Sequence, residues 1–241
     1  MRILITNDDG IESAVLPVFA KWASRFGEVT VVVPKEEQSG KSQAIDFRRS
    51  VEVKRVELCE GCEAYTMDST PADCVRFAVT GLGRQYDIVF SGINRGYNLG
   101  DDIAYSGTVG ATFEAWRLGI KAIAFSTDFT TFDHALAELD DVYKFILDKD
   151  LLSHTEVLNV NFPTQKKRGI CITKQGGMYY SDAFVRCDDG TYKQIGDPVT
   201  ADANDLTTDI NATGNGYVSI TPLTAVKTDL AAYVLLKDVK G

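Results

Sequence analysis

The sequence predicts an α/β protein, a doubly wound and mostly parallel sheet with a β-rich C-terminal extension. Two observations carry this. Between residues 2 and 162, short apolar or β-branched runs alternate with segments of helical spacing, as repeated βαβ units do. After Pro163 the helical spacing fades, and short alternating strands with many turn residues take over.

Arg2–Thr6 opens the chain as an apolar strand. Residues 11–26 place Leu16, Phe19, Ala20, Ala23 and Phe26 on one helical side, and Gly27 ends that helix. Val29–Val33 is a β-branched run suited to a buried parallel strand. Residues 51–58 and 63–67 read as paired strands around a Glu60-Gly61 turn. Thr70-Pro71-Ala72-Asp73 starts a helix reaching about Thr80, with Thr70 as cap, Pro71 at the first helical position and Asp73 at the positive end. Asp87–Ser91 is a strand, and Ser106 or Thr108 caps a helix to about Leu118. Lys121–Ser126 is a strand, 133–149 a helix and Val157–Phe162 a strand. The first part, 1–165, is therefore Rossmann-like. The second, 166–241, holds short strands, a hairpin turning at Asp188-Asp189-Gly190 and a closing helix over 226–237.

Composition narrows the function classes. The chain has 241 residues, 44% of them apolar, enough to bury a large core without disulfides or a structural metal. Its net charge of −9 argues against polymeric nucleic acid as a partner, since binding a polyanion needs a basic surface. No apolar run reaches membrane-spanning length. Met1 leads directly into a strand, with no leader pattern, and five scattered cysteines suit a cytoplasmic protein with reduced thiols.

Ligands of open α/β sheets bind at the carboxyl ends of the strands. Three polar loops leave strands there: Asn7-Asp8-Asp9-Gly10, Gln38-Ser39-Gly40 and Ser91-Gly92-Ile93-Asn94. Asp8 and Asp9 are adjacent carboxylates that repel unless a cation lies between them. Oxygen ligands from Asp8, Asp9, Ser39 and Asn94 select a hard cation such as magnesium, manganese or calcium. Gly10 permits close backbone approach, and the helix that follows is expected to point its positive end at the loop. The competing reading is that the two acids only cap that helix. Tyr105-Ser106-Gly107-Thr108-Val109-Gly110 opens a helix with small residues whose N–H groups can hold an anion, or simply form a cap. Asn98 and Asp101, between these loops, are either site or turn residues. Lys41, two residues beyond Ser39, is either an anion-capturing side chain or a solvated loop lysine.

Several look-alikes fail. Gly40-Lys41-Ser42 resembles the end of a P-loop, but Lys35 stands where that motif needs glycine, and no clear helix follows. The haloacid-dehalogenase phosphatase motif separates its two aspartates by one residue, whereas Asp8 and Asp9 are adjacent. Cys59-Glu60-Gly61-Cys62 lacks a second pair and nearby histidines, so it reads as two cysteines flanking a hairpin turn. With only His134 and His154, serine-triad chemistry has little material.

The loops above, with Thr70–Val75, Asn159-Val160-Asn161-Phe162-Pro163 and Gly216–Leu223, together resemble the SurE family of nucleotidases over essentially the whole chain. The resemblance implies a divalent-metal-dependent phosphomonoesterase acting on nucleoside 5′- and 3′-monophosphates, and on short polyphosphate in some members. It implies one Mg²⁺ or Mn²⁺ per subunit on Asp8, Asp9, Ser39 and Asn94. It places the substrate on Asn7, Gly40, Asn98, Ser106, Gly107 and Thr108, with Asp8, Asp9, Asn98 and Ser106 in catalysis. It also implies a homodimer or homotetramer that exchanges C-terminal segments. Three positions depart from the family pattern: Lys41 and Ser69 replace residues that are usually small or glycine, and Tyr192–Asp197 lacks an aromatic-glycine ending. Two other readings stay open: a phosphatase working through a phospho-aspartate, and a nucleotide-binding regulatory module without turnover.

Overall fold

The computed structural model describes residues 1–239. In chain order the elements are β1 (Arg2–Thr6), α1 (Leu16–Ala23), β2 (Glu28–Pro34), β3 (Val53–Val56), β4 (Glu63–Met67), α2 (Pro71–Arg76), β5 (Ile88–Arg95) and α3 (Gly107–Arg117). There follow β6 (Lys121–Thr127), α4 (Asp133–Asp148), β7 (Val157–Asn161), β8 (Ile170–Ile172), β9 (Tyr180–Arg186), β10 (Tyr192–Pro198), α5 (Asp209–Gly214), β11 (Val218–Leu223) and α6 (Leu230–Leu236).

One sheet of nine strands runs β3-β4-β2-β1-β5-β6-β7-β11-β8. From β4 to β7 every pairing is parallel; β3 and β11 pair antiparallel with β4 and β7. The doubly wound expectation is met, and the sheet continues past residue 165 because β11 and β8 extend it. Alternation along β1 sorts the core into two layers. Ile3 and Ile5 pack with α1 and α4 residues such as Phe19 and Tyr143, while Leu4 packs with Val75, Ala78 and Ala115 from the α2 and α3 side. The β9–β10 hairpin is a separate two-stranded sheet, turning at Cys187–Thr191 as the Asp-Asp-Gly signal predicts. No helix among the described residues is long and apolar enough to cross a membrane.

Four local expectations change. Helix α1 starts at Leu16 rather than near residue 11, because Pro17 fits only the first turn. Ile11 still packs on the core, but from a loop. The helix from Thr70 is α-helical only to Arg76 and continues as a wider π turn over Phe77–Gly81. Helix α5 was not anticipated, since six residues containing Asn and Gly give no periodic signal. The reduced-thiol expectation fails at one place: Cys59 and Cys62 form a disulfide, their Cα atoms 5.8 Å apart across the predicted turn. Cys74, Cys171 and Cys187 are free.

Candidate active site at the carboxyl ends of the strands

The sheet grows outward from β1 in two directions, to β2 and β4 on one side and to β5, β6 and β7 on the other. The reversal between β1 and β5 is the topological switch point, where such sheets open a crevice. Asp8 and Asp9 leave β1 there, and Asn94 is the last residue but one of β5.

The Asn7–Gly10 loop is fixed internally. Asn7 Nδ2 donates to the Gly10 carbonyl at 3.0 Å, and Gly10 N–H donates to Asn7 Oδ1 at 3.1 Å. Gly10 has φ +82°, and a Cβ there would lie 3.1 Å from the Glu36 backbone. Asn7, implied as a substrate contact, thus shapes the loop with both ends of its amide.

Neighbouring strand ends are stitched to this loop. Gln38 N–H donates to the Asp8 carbonyl at 2.7 Å, which brings Ser39 alongside. Arg95 N–H donates to Asp9 Oδ2 at 3.3 Å, which brings in the end of β5 and Asn94. The β5–β6 register shifts between Ser91 and Asn94, and Gly92 (φ +126°) is obligatory, since a Cβ there would lie 2.3 Å from the Phe125 carbonyl oxygen.

The helix aimed at the acids is α3, not α1. The residue before α1 is Val15, with no side-chain cap, so Asp8 and Asp9 do not cap it. Instead Thr108 N–H donates to Asp8 Oδ2 at 3.2 Å, and the Thr108 hydroxyl donates to Asp8 Oδ1. Gly107 allows this approach, because a Cβ there would stand 3.0 Å from the Asp8 Cβ. Ser106 caps α3 by accepting from Val109 N–H at 3.0 Å, as expected. The Gly107 N–H has no acceptor among the described residues, and the Ser106 hydroxyl keeps its proton to donate.

Asn98 is buried, its Nδ2 donating to Ser126 Oγ at 2.7 Å. Its carbonyl accepts from Asn159 and Asn161 at 2.8 and 3.1 Å. Asp101 belongs to a 3₁₀ turn with an exposed side chain, and its N–H donates to the Gly177 carbonyl at 2.9 Å. Gly40 (φ +70°) and exposed Lys41 precede Ser42, whose N–H and hydroxyl donate to the Tyr105 and Ala104 carbonyls at 3.0 and 2.8 Å. The 39–42 loop therefore lies across the start of α3. Ser69, the other departure, donates to Asp73 Oδ2 at 2.6 Å and braces α2.

Burial pushes both site carboxyls up. Asp8 is raised mainly by desolvation, against the two bonds from Thr108. Asp9 is raised to about 6, by burial and then by the charge of Asp8. A nearby cation would reverse both effects. Among the described residues no cluster of three or more His, Cys, Asp and Glu side chains is suited to a metal. The donor set here is two carboxylates with neutral oxygens, which fits a hard cation that keeps part of its water shell.

Four participants were missed from sequence. Glu37 accepts from Ser39 Oγ at 2.6 Å, and its charge adds to the raising of Asp8 and Asp9. Arg95 lines a cleft of about 540 Å³ with Asp9, Glu37, Ser39, Phe129 and Phe132. Asn159 and Asn161, quoted only within a motif, support Asn98 from buried β7; two asparagines alternating on an otherwise apolar strand were the available signal.

Such a molecule is a doubly wound α/β protein with an acidic, oxygen-rich site at its switch point, facing a helix start. A family model described as survival protein SurE matches residues 3–182. The 5′-nucleotidase SurE of Pseudothermotoga lettingae is 38% identical over all of this chain and 95% of its own length. That of Legionella pneumophila is 38% identical over 92% of this chain and 90% of its own. The crystal structure of the SurE protein from Aquifex aeolicus superposes with a TM-score of 0.82 at 32% identity, covering 99% of this chain and all of that one. The chain belongs to the SurE family.

Proposed function

We propose that the chain is a 5′-nucleotidase, a phosphomonoesterase that hydrolyses nucleoside 5′- and 3′-monophosphates with one divalent cation, Mg²⁺ or Mn²⁺, on Asp8, Asp9, Ser39 and Asn94. The 5′-nucleotidase activity for which the relatives are named supports the substrate class. The observation that carries the mechanism is the meeting of an acidic pair with the start of α3. An anion could not approach Asp8 and Asp9 unless a cation stood between them.

When bound, such a cation withdraws charge from a phosphoryl oxygen and lowers the barrier to attack on phosphorus. The chain's own groups do the rest. Thr108 holds Asp8 from two directions and so fixes the ligand geometry. The free Gly107 N–H and the Ser106 hydroxyl are donors for the other phosphoryl oxygens. Asp9, lining the cleft and held, among the described residues, from the backbone by Arg95 alone, is the carboxylate free to orient an attacking water. Asn98 keeps the loop before α3 in register.

The test is phosphate release from a panel of nucleoside monophosphates after chelation and metal add-back. Turnover restored by Mg²⁺ or Mn²⁺ supports the reading. Nucleotide binding without turnover would favour a regulatory module, and a trapped acyl phosphate would favour an aspartate nucleophile.

We also propose a homodimer or homotetramer joined through the C-terminal arm, supported by the exposed apolar residues of β9, β10 and α6. Cytoplasmic residence is supported by the three free cysteines, one of them, Cys74, inside the core; the Cys59–Cys62 bridge points the other way.

A further inference from the structure

Two aromatic rings stand at the mouth of the cleft that holds Asp9 and Ser39, and they differ. Phe132 packs against the hydrophobic core. Phe129 joins no core cluster among the described residues and is 59% exposed. A lone exposed phenylalanine on a surface needs no explanation. This one is held in place. Its carbonyl accepts from Arg95 Nε at 2.9 Å, and Arg95 N–H in turn donates to Asp9. On either side the turn is fixed, with Thr130 N–H and Thr131 N–H donating to Asp128 Oδ1 at 2.6 and 3.2 Å. The ring lies against bare backbone, since a Cβ on Gly96 would come within 2.8 Å of it. Gly96 has φ +134°, so glycine serves here both the backbone turn and the seat of the ring.

A positioned aromatic with a free face, one residue removed from the candidate metal loop through Arg95, has the form of a stacking platform. We infer that Phe129 is the nucleobase subsite, the surface on which the base of a nucleoside monophosphate stacks while its phosphate reaches the Asp8–Asp9 loop. This rests on the nucleotidase reading and adds what makes the substrate a nucleotide rather than any phosphate ester. Every base has a π-face, so the platform favours nucleotides without choosing among bases. Because the turn is already ordered, stacking costs little conformational freedom.

The test compares wild type, Phe129→Ala and Phe129→Trp on AMP, UMP and ribose 5-phosphate, a substrate with the same phosphate and sugar but no base. Loss of one stacking contact is worth about 1–3 kcal/mol, and about 1.4 kcal/mol is tenfold. In Phe129→Ala the preference for both nucleotides over ribose 5-phosphate, as a ratio of kcat/KM, should therefore fall about tenfold, mainly through KM. Phe129→Trp should restore it. A ratio unchanged in Phe129→Ala overturns the platform, whether all rates fall together or none does. Wild-type protein idle on all three compounds would instead sink the hydrolytic reading. Calorimetry with adenosine then judges the platform alone: weaker binding by Phe129→Ala upholds it, and equal binding refutes it.

Discussion

In the nine-stranded sheet and its helices, apolar side chains bury one another: Phe19, Phe90 and Phe125 are wholly inaccessible. In the β9–β10 arm and α6 the same residue types face solvent, with Phe184 70% and Leu235 80% exposed. α6 has no buried residue, although Asp229 caps it by accepting from Ala232 N–H at 2.9 Å. The first region is complete within one chain. The second is well formed locally, and its apolar surface lacks a counterpart. Polar groups show the reverse pattern: the arm's are solvated, while the core buries Asp8 and holds Asp9 beside it at the strand ends. The core thus tolerates an electrostatic cost at its site, and the arm a hydrophobic cost at its surface.

Changing each region should break a different property. Asp9→Ala should lower nucleotide hydrolysis at least about a hundredfold, the loss of about 3 kcal/mol of transition-state stabilisation. Its melting temperature should not fall, because removing one of two repelling carboxylates relieves the fold. Steady-state rates and thermal melts check both halves; near-normal turnover would detach the site from the chemistry.

Replacing residues 184–197 by a short Gly-Ser turn should leave a folded core and reduce the mass measured by light scattering to that of a monomer. A monomeric wild type, or an unchanged mass after the replacement, would remove the arm from the interface.

Asp209 is the joint between the regions. Buried at the start of α5, it accepts from Gly100 N–H at 3.0 Å, beside the site loop, and from Gly176 N–H at 2.8 Å, at the root of the arm. Asp209→Ala leaves those donors unpaired and should cost about 2–4 kcal/mol in denaturant unfolding. A loss under about 0.5 kcal/mol would mean that the two regions are not coupled there.

Lys41 departs from the family pattern on the loop lying across α3. Lys41→Ala should raise KM a few-fold at low ionic strength with little change in kcat, an effect that fades with salt. An unchanged KM at low salt would make it a solvated lysine.

The smallest effect belongs to the far edge of the core. Arg84 donates to Glu63 at 2.5 Å and, with Tyr65, holds its carboxyl down to about 2 from an ordinary 4.5. A depressed carboxyl stabilises the fold above its unfolded value, and that contribution is lost as pH falls from 4.5 toward 2. The pair is partly exposed, so its worth is under about 1 kcal/mol. Arg84→Ala should slightly flatten the fall in melting temperature over that window. An identical acid profile would discount the pair.

The middle of the sheet was legible because its strands are buried on both faces: Val29–Val33 has no polar side except Thr30, and burial leaves no other reading. Where a segment is short or set by a single residue, the reading failed, as with α5 and the Pro17 start of α1. The carboxylates of the acidic loop were legible because they follow a strand, whereas Ser91-Gly92-Ile93-Asn94, expected as a loop, lies within β5. The partners of those carboxylates were less so, since the link from Arg95 to Asp9 runs through a backbone N–H, which carries no residue identity. The expected role of α1 went to α3 for a related reason: sequence order suggests the next helix, while sheet order decides which helix start faces the loop.

The Asp8–Asp9 crevice is proposed to hold a cation. Titration of Mn²⁺ into chelator-stripped protein, followed by calorimetry, tests it without relying on turnover. One Mn²⁺ should bind per chain in the wild type and none in the Asp8→Asn/Asp9→Asn variant, with both proteins folded. Wild type that binds no Mn²⁺, or a double variant that binds it equally well, would contradict it.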